Sequence, residues 1–138
     1  MSLRLKLKPH EKIIIGNTVI ENGAKSASFV VHNKTIILRE KDILTDETAD
    51  SPAKRIYFIV QLMYMSGSLE DSRSQHAEYF RLTKDFMTAC PTEEAINMVS
   101  DIGDKILADD LYGALKTCSK LIEYEHKVMG DLLPGGKV

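Results

Sequence analysis

The sequence has 138 residues, of which 43% are hydrophobic and 28% are charged. These values fit one ordinary domain, or a small β unit joined to a helical unit, and they exclude a compositionally disordered chain. No segment approaches the roughly 20 consecutive apolar residues of a membrane-spanning helix, and the N-terminus lacks the apolar stretch of a signal peptide. We therefore expect a cytoplasmic protein that makes no membrane contact.

The first 44 residues have the pattern of short β-strands separated by turns. Leucine alternates with Arg or Lys over residues 3–8, and Pro9 ends this run because proline cannot donate to a strand ladder. Gly16-Asn17 lies between two β-rich runs and predicts a tight hairpin, and Asn22-Gly23 and Asn33-Lys34 mark further turns. The apolar runs cover residues 3–8, 12–15, 18–21, 28–32 and 35–39. They predict four or five short antiparallel strands in a small sheet or barrel.

The rest of the chain has the pattern of helices, because its apolar residues recur at intervals of three and four. Ser51 is predicted to cap the first helix, and Pro52 is predicted to be its first residue. The helix is predicted to end at the sequence Ser66-Gly67-Ser68. A second helix is predicted from Leu69 to about Cys90. Thr92 and the pair Asp109-Asp110 predict the starts of the last two helices, and Gly130 closes the fourth.

The predicted fold class is therefore α+β, with an N-terminal antiparallel β region followed by a bundle of about four helices. The predicted organisation is a basic β region at 1–44, an acidic linker at 45–51, a helical region at 52–130 and a frayed tail at 131–138. Cys90 and Cys118 show no CxxC or Cys/His spacing, and we expect two free thiols packed in helices.

Nothing in the sequence indicates catalysis. It contains no glycine-rich dinucleotide motif, no Walker A motif and no GxSxG motif, and its four histidines are scattered singly. The acidic pairs Glu93-Glu94 and Asp109-Asp110 lie at predicted helix starts, where capping and the helix dipole explain them. We therefore expect a protein that is not an enzyme and that has no cofactor and no metal site.

The charge is divided unevenly along the chain. Residues 1–44 hold eight Lys or Arg against four acids, a balance of +4, and residues 45–138 hold ten against sixteen, a balance of −6. The alternation in the first run places Arg4, Lys6 and Lys8 on one face of a strand. Arg39 and Lys41 are also two residues apart and are expected to share a face at the end of the β region.

Rows of cations on a strand can bind a phosphate backbone, which makes nucleic acid one candidate ligand. An ordinary solvated strand face that guards a sheet edge against aggregation is the alternative. Phe29 is the sole aromatic residue before Tyr57, so the β region is not predicted to have the aromatic base-stacking surface of an RRM.

Several ordered blocks of the sequence resemble the FlbT family of flagellar regulators. The blocks are residues 5–12, 19–23, 37–44, 52–58, 61–64, 114–116 and 120–125, and the resemblance spans about residues 2–130. The sequence departs from the family pattern at His10, where the family usually has glycine in a Lys-Pro-Gly-Glu turn.

This resemblance implies post-transcriptional regulation of flagellin synthesis, through the untranslated leader of flagellin mRNA and together with a second small flagellar protein, FlaF. The expected function is control of the stability or translation of that mRNA. The candidate RNA contacts are Arg4, Lys6, Arg39 and Lys41, supported by Lys8 and Lys12.

The β region is also similar to the CsrA family of mRNA-binding translational repressors. The likeness rests on the basic first strand and on a last strand that ends Leu38-Arg39-Glu40-Lys41-Asp42-Ile43. It implies that Arg4, Lys6 and Arg39 contact RNA, and that the β part forms a homo-oligomer.

An alternative function is a protein-interaction adaptor or chaperone-like partner of flagellin or FlaF that acts on the mRNA indirectly. The candidate contacts are Ile56, Ile59 and Met63 in the first helix, which is apolar over most of its circumference. Such a helix is typical of a core, and an exposed part of it would instead indicate an interface.

Overall fold

The computed structural model describes residues 2–16, 18–33, 35–66 and 69–129. Within these ranges, five β-strands are followed by four α-helices, which confirms the predicted α+β class. The chain divides between Ile43 and Leu44 into two compact units, which we name the β unit and the helical unit. The predicted turn residues Asn17 and Lys34, the predicted stops at Gly67, Ser68 and Gly130, and the tail 131–138 lie outside the described residues.

The strands of the β unit form two small antiparallel sheets. They are β1 (Leu3–Leu7), β2 (Lys12–Ile15), β3 (Thr18–Glu21), β4 (Ala27–Val31) and β5 (Ile37–Arg39). β1 pairs with β4, while β2 lies between β3 and β5 in the other sheet. A short 3-10 helix at Glu40–Asp42 follows β5 directly.

The two-residue period of the first strand sorts its side chains as the sequence predicts. Leu5 and Leu7 are buried and form a core with Ile13 of β2, whereas Arg4 and Lys6, which alternate with them, are exposed. Leu3, at the start of the strand, is 48% exposed. The partly buried side chains that pack against this core are Ile15, Phe29, Val31 and Ile37. Burial of this apolar surface, at roughly 25 cal/mol per Å², favours the orientation with the cations outward.

Two turns of the β unit use left-handed backbone conformations. Gly16, in the hairpin between β2 and β3, has a φ of 64°, which glycine adopts without a Cβ clash. His10 has a φ of 62°, although a side chain disfavours this region. Glycine would adopt this conformation without a Cβ, whereas His10 adopts it with a full side chain.

The four helices bury their apolar stripes against one another in the helical unit. They are α1 (Pro52–Ser66), α2 (Leu69–Ala89), α3 (Glu93–Leu107) and α4 (Leu111–Met129). α1 packs against both α2 and α4, and α4 also packs against α3. Among the described helices, none is long and apolar enough to cross a membrane.

The predicted helix caps are present as hydrogen bonds. The Ser51 hydroxyl accepts from the Lys54 amide at 3.2 Å, and the Thr92 hydroxyl accepts from the Ala95 amide at 3.2 Å. At the start of α4, the Asp110 carboxylate accepts from the Gly113 amide at 3.0 Å. Each bond satisfies a backbone donor that the first turn of a helix leaves unpaired.

Both cysteines are free and buried, as predicted, but only Cys118 lies in a helix, because α2 ends at Ala89, one residue before Cys90. Burial disfavours the thiolate and raises the pKa of Cys118 to about 12. A thiol with this pKa is not a nucleophile at neutral pH, so Cys118 serves the packing of α4.

A buried carboxylate on α4 completes the N-terminus of α1. Glu125 is 6% exposed, and its two oxygens accept from the Ser51 hydroxyl at 2.5 Å and from the Ala53 amide at 2.8 Å. The negative charge also lies at the positive end of the α1 dipole. Glu125 therefore joins the last helix to the beginning of the first.

We expect Glu125→Ala to lower the free energy of unfolding by about 1–3 kcal/mol, because the buried Ala53 amide then loses its acceptor. Urea unfolding followed by circular dichroism measures the change. Glu123→Ala is the matched control, since Glu123 is exposed on the same helix and its loss should change the value by less than about 0.5 kcal/mol. Equal effects of the two substitutions would contradict the capping role.

Candidate nucleic-acid interface

The outer face of the β1–β4 sheet carries the first predicted cations. Arg4 lies directly opposite Val30, and Lys6 lies opposite Ser28, in the antiparallel register of the two strands. All four side chains are exposed. Arg4 and Lys6 are two residues apart on one strand, which separates them by about 6.6 Å along its axis.

Two turns meet at one end of this sheet and place further cations there. The Asn22 side-chain amide donates to the Lys8 carbonyl at 2.8 Å and to the Lys25 carbonyl at 3.0 Å. The His10 amide donates to the Gly23 carbonyl at 2.9 Å. Lys8 and Lys25 therefore lie at the end of the sheet that follows Leu7, the last residue of β1, and both are exposed. Lys25 was not among the predicted contacts, because its loop shows no periodicity and a hydrogen-bonded turn brings it there.

Two cations of the β1 strand are not engaged by acids. Within the described part of the β unit, Arg39 forms an ion pair with Glu11, whereas no ion pair involves Arg4 or Lys6. These two side chains therefore keep their charge available to a ligand, while the charge of Lys8 also acts on Glu11. We name Arg4, Lys6, Lys8 and Lys25 the basic row.

Arg39 lies on the inner side of its sheet and not beside the basic row. It pairs in register with the buried Ile13, and its Nη2 donates to the Lys6 carbonyl at 2.6 Å. The same atom lies 3.3 Å from each carboxylate oxygen of Glu11. Its Nε is buried and makes no hydrogen bond within the described part of the chain. Arg39 is therefore engaged by Glu11 and by the Lys6 carbonyl, unlike Arg4 and Lys6, and its contact with RNA stays a prediction.

Glu11 is held ionised by its surroundings. The Lys8 backbone amide donates to its carboxylate at 2.9 Å, and this bond, followed by the Arg39 guanidinium, holds the pKa of Glu11 below its ordinary value. Partial burial opposes these effects without cancelling them. The carboxylate therefore links the turn after β1 to β5.

The two remaining predicted cations belong to the other sheet and its extension. Lys12 is exposed on β2, opposite Glu21, and its amide donates to the Glu40 carboxylate at 2.7 Å. β5 ends at Arg39, so Lys41 lies in the 3-10 helix and does not continue the strand. The predicted strand face shared by Arg39 and Lys41 is therefore absent, since the backbone changes direction between them.

The three predicted partner contacts of α1 are core residues. Ile56, Ile59 and Met63 are all buried, so they are not a surface that a partner can reach. An amphipathic stripe looks the same in sequence whether another helix of the chain or a second protein covers it.

No metal centre forms among the described residues, since they contain no group of three or more His, Cys, Asp or Glu placed to hold an ion. An open cleft of about 280 Å³ on the helical unit is lined by Asp50, Ser51, Pro52, Arg55, Leu82 and Asp85. The side chains that line this cleft carry charges of both signs, and Arg55 Nη1 lies 3.6 Å from Asp46 Oδ1.

The family model described as "Flagellar protein FlbT" matches residues 3–129. The chain belongs to the FlbT family. The match extends over both the β unit and the helical unit.

Named relatives agree with this membership. The chain is 48% identical to the "Probable flagellum biosynthesis repressor protein FlbT 1" of Bradyrhizobium diazoefficiens, over 95% of the chain and 87% of the relative. It is 35% identical to the corresponding protein of a Caulobacter species, strain K31, over 96% and 99% of the two chains. It is 33% identical to the "Flagellum biosynthesis repressor protein FlbT" of Caulobacter vibrioides, over 98% and 94%. No solved structure gives a significant match to the chain.

We expect the Glu11–Arg39 pair to stabilise the β unit at neutral pH and to lose its effect in acid. Because the pKa of Glu11 is lowered on folding, its contribution is present above the ordinary value of 4.5 and disappears as the pH falls through the folded value. Glu11→Gln should therefore destabilise the unit at pH 7 and differ less from the parent below pH 4.5.

Hydrogen exchange of β-unit amides at several pH values measures this difference. Glu21→Gln is the control, since Glu21 is exposed on β3 and is not part of the Glu11–Arg39 pair. The difference in exchange between this variant and the parent should change little with pH. A pH-independent difference between the parent and Glu11→Gln would contradict the electrostatic account.

Proposed function

We propose that this chain is a repressor of flagellum biosynthesis that acts after transcription, by binding the untranslated leader of flagellin mRNA and controlling its stability or translation. The repressor role is the one named for its FlbT relatives. The observation that supports RNA as the direct ligand is the basic row, whose strand cations are exposed and free of ion pairs among the described residues of the β unit.

Phosphate binding is the chemistry that such a row supports. Each Lys or Arg that neutralises a phosphate releases condensed counterions, and this release provides much of the affinity of proteins for nucleic acids. The regular spacing of Arg4 and Lys6 on a paired strand holds the two charges in a defined geometry. A backbone that runs along β1 can therefore meet successive cations.

The charge distribution restricts this contact to the β unit. Residues 1–44 hold eight Lys or Arg against four acids, and residues 45–138 hold ten against sixteen. Like charges would repel a phosphate backbone from the helical unit over about a Debye length, roughly 8 Å at physiological salt. RNA is therefore expected on the β unit, which leaves the helices to other partners.

Arg39 supports the interface indirectly in this proposal. Its bond to the Lys6 carbonyl fixes the backbone of the residue that carries one of the cations. Lys12 and Lys41 lie on the neighbouring sheet and its extension, and they add positive potential beyond the basic row.

Replacing Arg4 and Lys6 together by alanine should weaken binding of the flagellin leader RNA at every salt concentration. The slope of log K against log salt should become less steep by about 1.4, since each lost contact to a single strand contributes about 0.7. Filter binding with purified protein and leader RNA from the same genome measures both quantities.

Lys84→Ala with Lys127→Ala is the matched control, because it removes two exposed cations from the helical unit. This variant should retain the parent affinity and slope. The proposal fails if purified parent protein does not bind the leader, or if the Arg4/Lys6 variant binds with unchanged affinity and slope.

A second candidate function is an adaptor that binds flagellin or FlaF. Exposed apolar side chains on the helical unit favour it, since Phe80 of α2 is 67% exposed and Ile96 of α3 is 45% exposed.

Self-association through the β unit is a further part of the proposal. It is supported by the edge strand β3, which exposes Val19 and Ile20.

The adaptor function predicts that Phe80→Asp weakens capture of purified flagellin or FlaF by the chain in the presence of RNase. Thr88→Asp is the control, because it adds the same charge at an exposed position of the same helix. Capture that is equally strong with both variants would exclude the α2 surface as the contact.

A further inference from the structure

Strand β4 and the residue that follows it, His32, supply a second row of side chains, the β4 row, to the face that carries the basic row. Ser28 lies opposite Lys6 and Val30 lies opposite Arg4, and directly paired residues of an antiparallel ladder share a face. His32 is the next residue of the same parity along the chain. Its Nδ1 lies 3.3 Å from the Ser2 hydroxyl, which places the imidazole beside the start of β1.

The two rows differ in chemistry. The β1 row is cationic, whereas the β4 row consists of a hydroxyl, an aliphatic side chain and an imidazole, all of them exposed. Val30 is 40% exposed although it is β-branched and is paired within the two-stranded sheet. The face therefore has a charged side and a less polar side, about 5 Å apart across the ladder.

We infer that this face binds single-stranded RNA, with β1 contacting the phosphates and with Val30 of β4 and His32, the residue after β4, contacting the bases. The inference rests on the proposed function and adds the form of the RNA and the residues that read it. Ring faces and aliphatic groups stack against unpaired bases, and an imidazole can also hydrogen-bond to their edges.

A duplex does not suit this arrangement. In an A-form helix the faces of the bases are stacked inside, and the accessible minor groove presents only base edges and sugar hydroxyls between the phosphates. The β4 row would then meet groups for which Val30 has no complementary chemistry. A single strand can direct its phosphates to one row and its bases to the other.

The experiment compares two fluorescently labelled probes by anisotropy, an unstructured single-stranded RNA from the flagellin leader and the same RNA annealed to its complement. We expect the parent protein to bind the single strand more tightly than the duplex. His32→Ala should weaken single-strand binding about five- to tenfold, the lower part of the range for loss of a base-stacking side chain. The salt slope should remain unchanged, because stacking releases no counterions.

His32→Phe should restore most of the affinity, since it keeps a ring that can stack. His126→Ala is the control that removes an exposed imidazole from the helical unit, and it should bind like the parent. Val30→Asp should weaken binding more than Thr18→Asp, which adds the same charge at an exposed position of the other sheet.

The outcomes separate this inference from the proposed function. If Arg4→Ala with Lys6→Ala weakens binding but His32→Ala and Val30→Asp do not, the assignment to β4 is overturned and the RNA function stands. Equal affinity for both probes overturns the single-strand assignment. If the parent binds neither probe, the proposed function fails together with the inference.

Discussion

The contact of the Arg39 guanidinium with Lys6 and Glu11 is the interaction on which the organisation of the β unit depends. It connects β1, the turn that follows β1, and β5, which belong to two separate sheets. Two- and three-stranded sheets are marginal in water by themselves, and sharing one small apolar core leaves their relative register weakly specified. A charge-assisted hydrogen bond from the half-buried Arg39 to a main-chain carbonyl is directional, unlike apolar packing, and so fixes how the two sheets are oriented to each other.

This arrangement explains why the cations of the β unit have different roles although they look alike in the sequence. Arg39 is engaged by the protein itself, so it orders the strand that presents Lys6. Arg4 and Lys6 form no ion pair with the described acids, so their positive charge can attract a polyanion. The proposed RNA interface therefore uses both kinds of cation, one that holds the scaffold and one that remains available.

In the helical unit, a buried carboxylate has the role that the Arg39 guanidinium has in the β unit. Glu125 reaches from α4 to the first turn of α1 and satisfies donors that no neighbouring backbone group can reach. With its ends capped and its apolar stripes turned inward, this unit presents an acidic surface with a few exposed apolar side chains. Separation of charge between the two units allows one chain to be compatible with a nucleic acid and with a protein at once.

Prediction from the sequence succeeded where a local rule sets the outcome. The period of two in residues 3–8 is enough to separate Leu5 from Lys6, and hydroxyl or carboxylate side chains before an apolar repeat are enough to mark helix starts such as Thr92. It failed where the outcome depends on a partner distant in the chain. Arg39 is one residue in a three-residue strand, and nothing near it indicates that Glu11, 28 positions earlier, binds it.

The amino-acid sequence by itself therefore determined the α+β class, the helix starts, the outward direction of Arg4 and Lys6 and the resemblance to the FlbT family. Periodicity, capping and ordered motifs are properties of neighbouring residues, which makes them readable without coordinates. Only the tertiary structure decided that Arg39 binds Glu11 and the Lys6 carbonyl, that Ile56 and Met63 are covered, and that the His32 imidazole lies beside Ser2 at the start of β1. These outcomes depend on strand register and helix packing, which join residues far apart in the chain and leave no local signal.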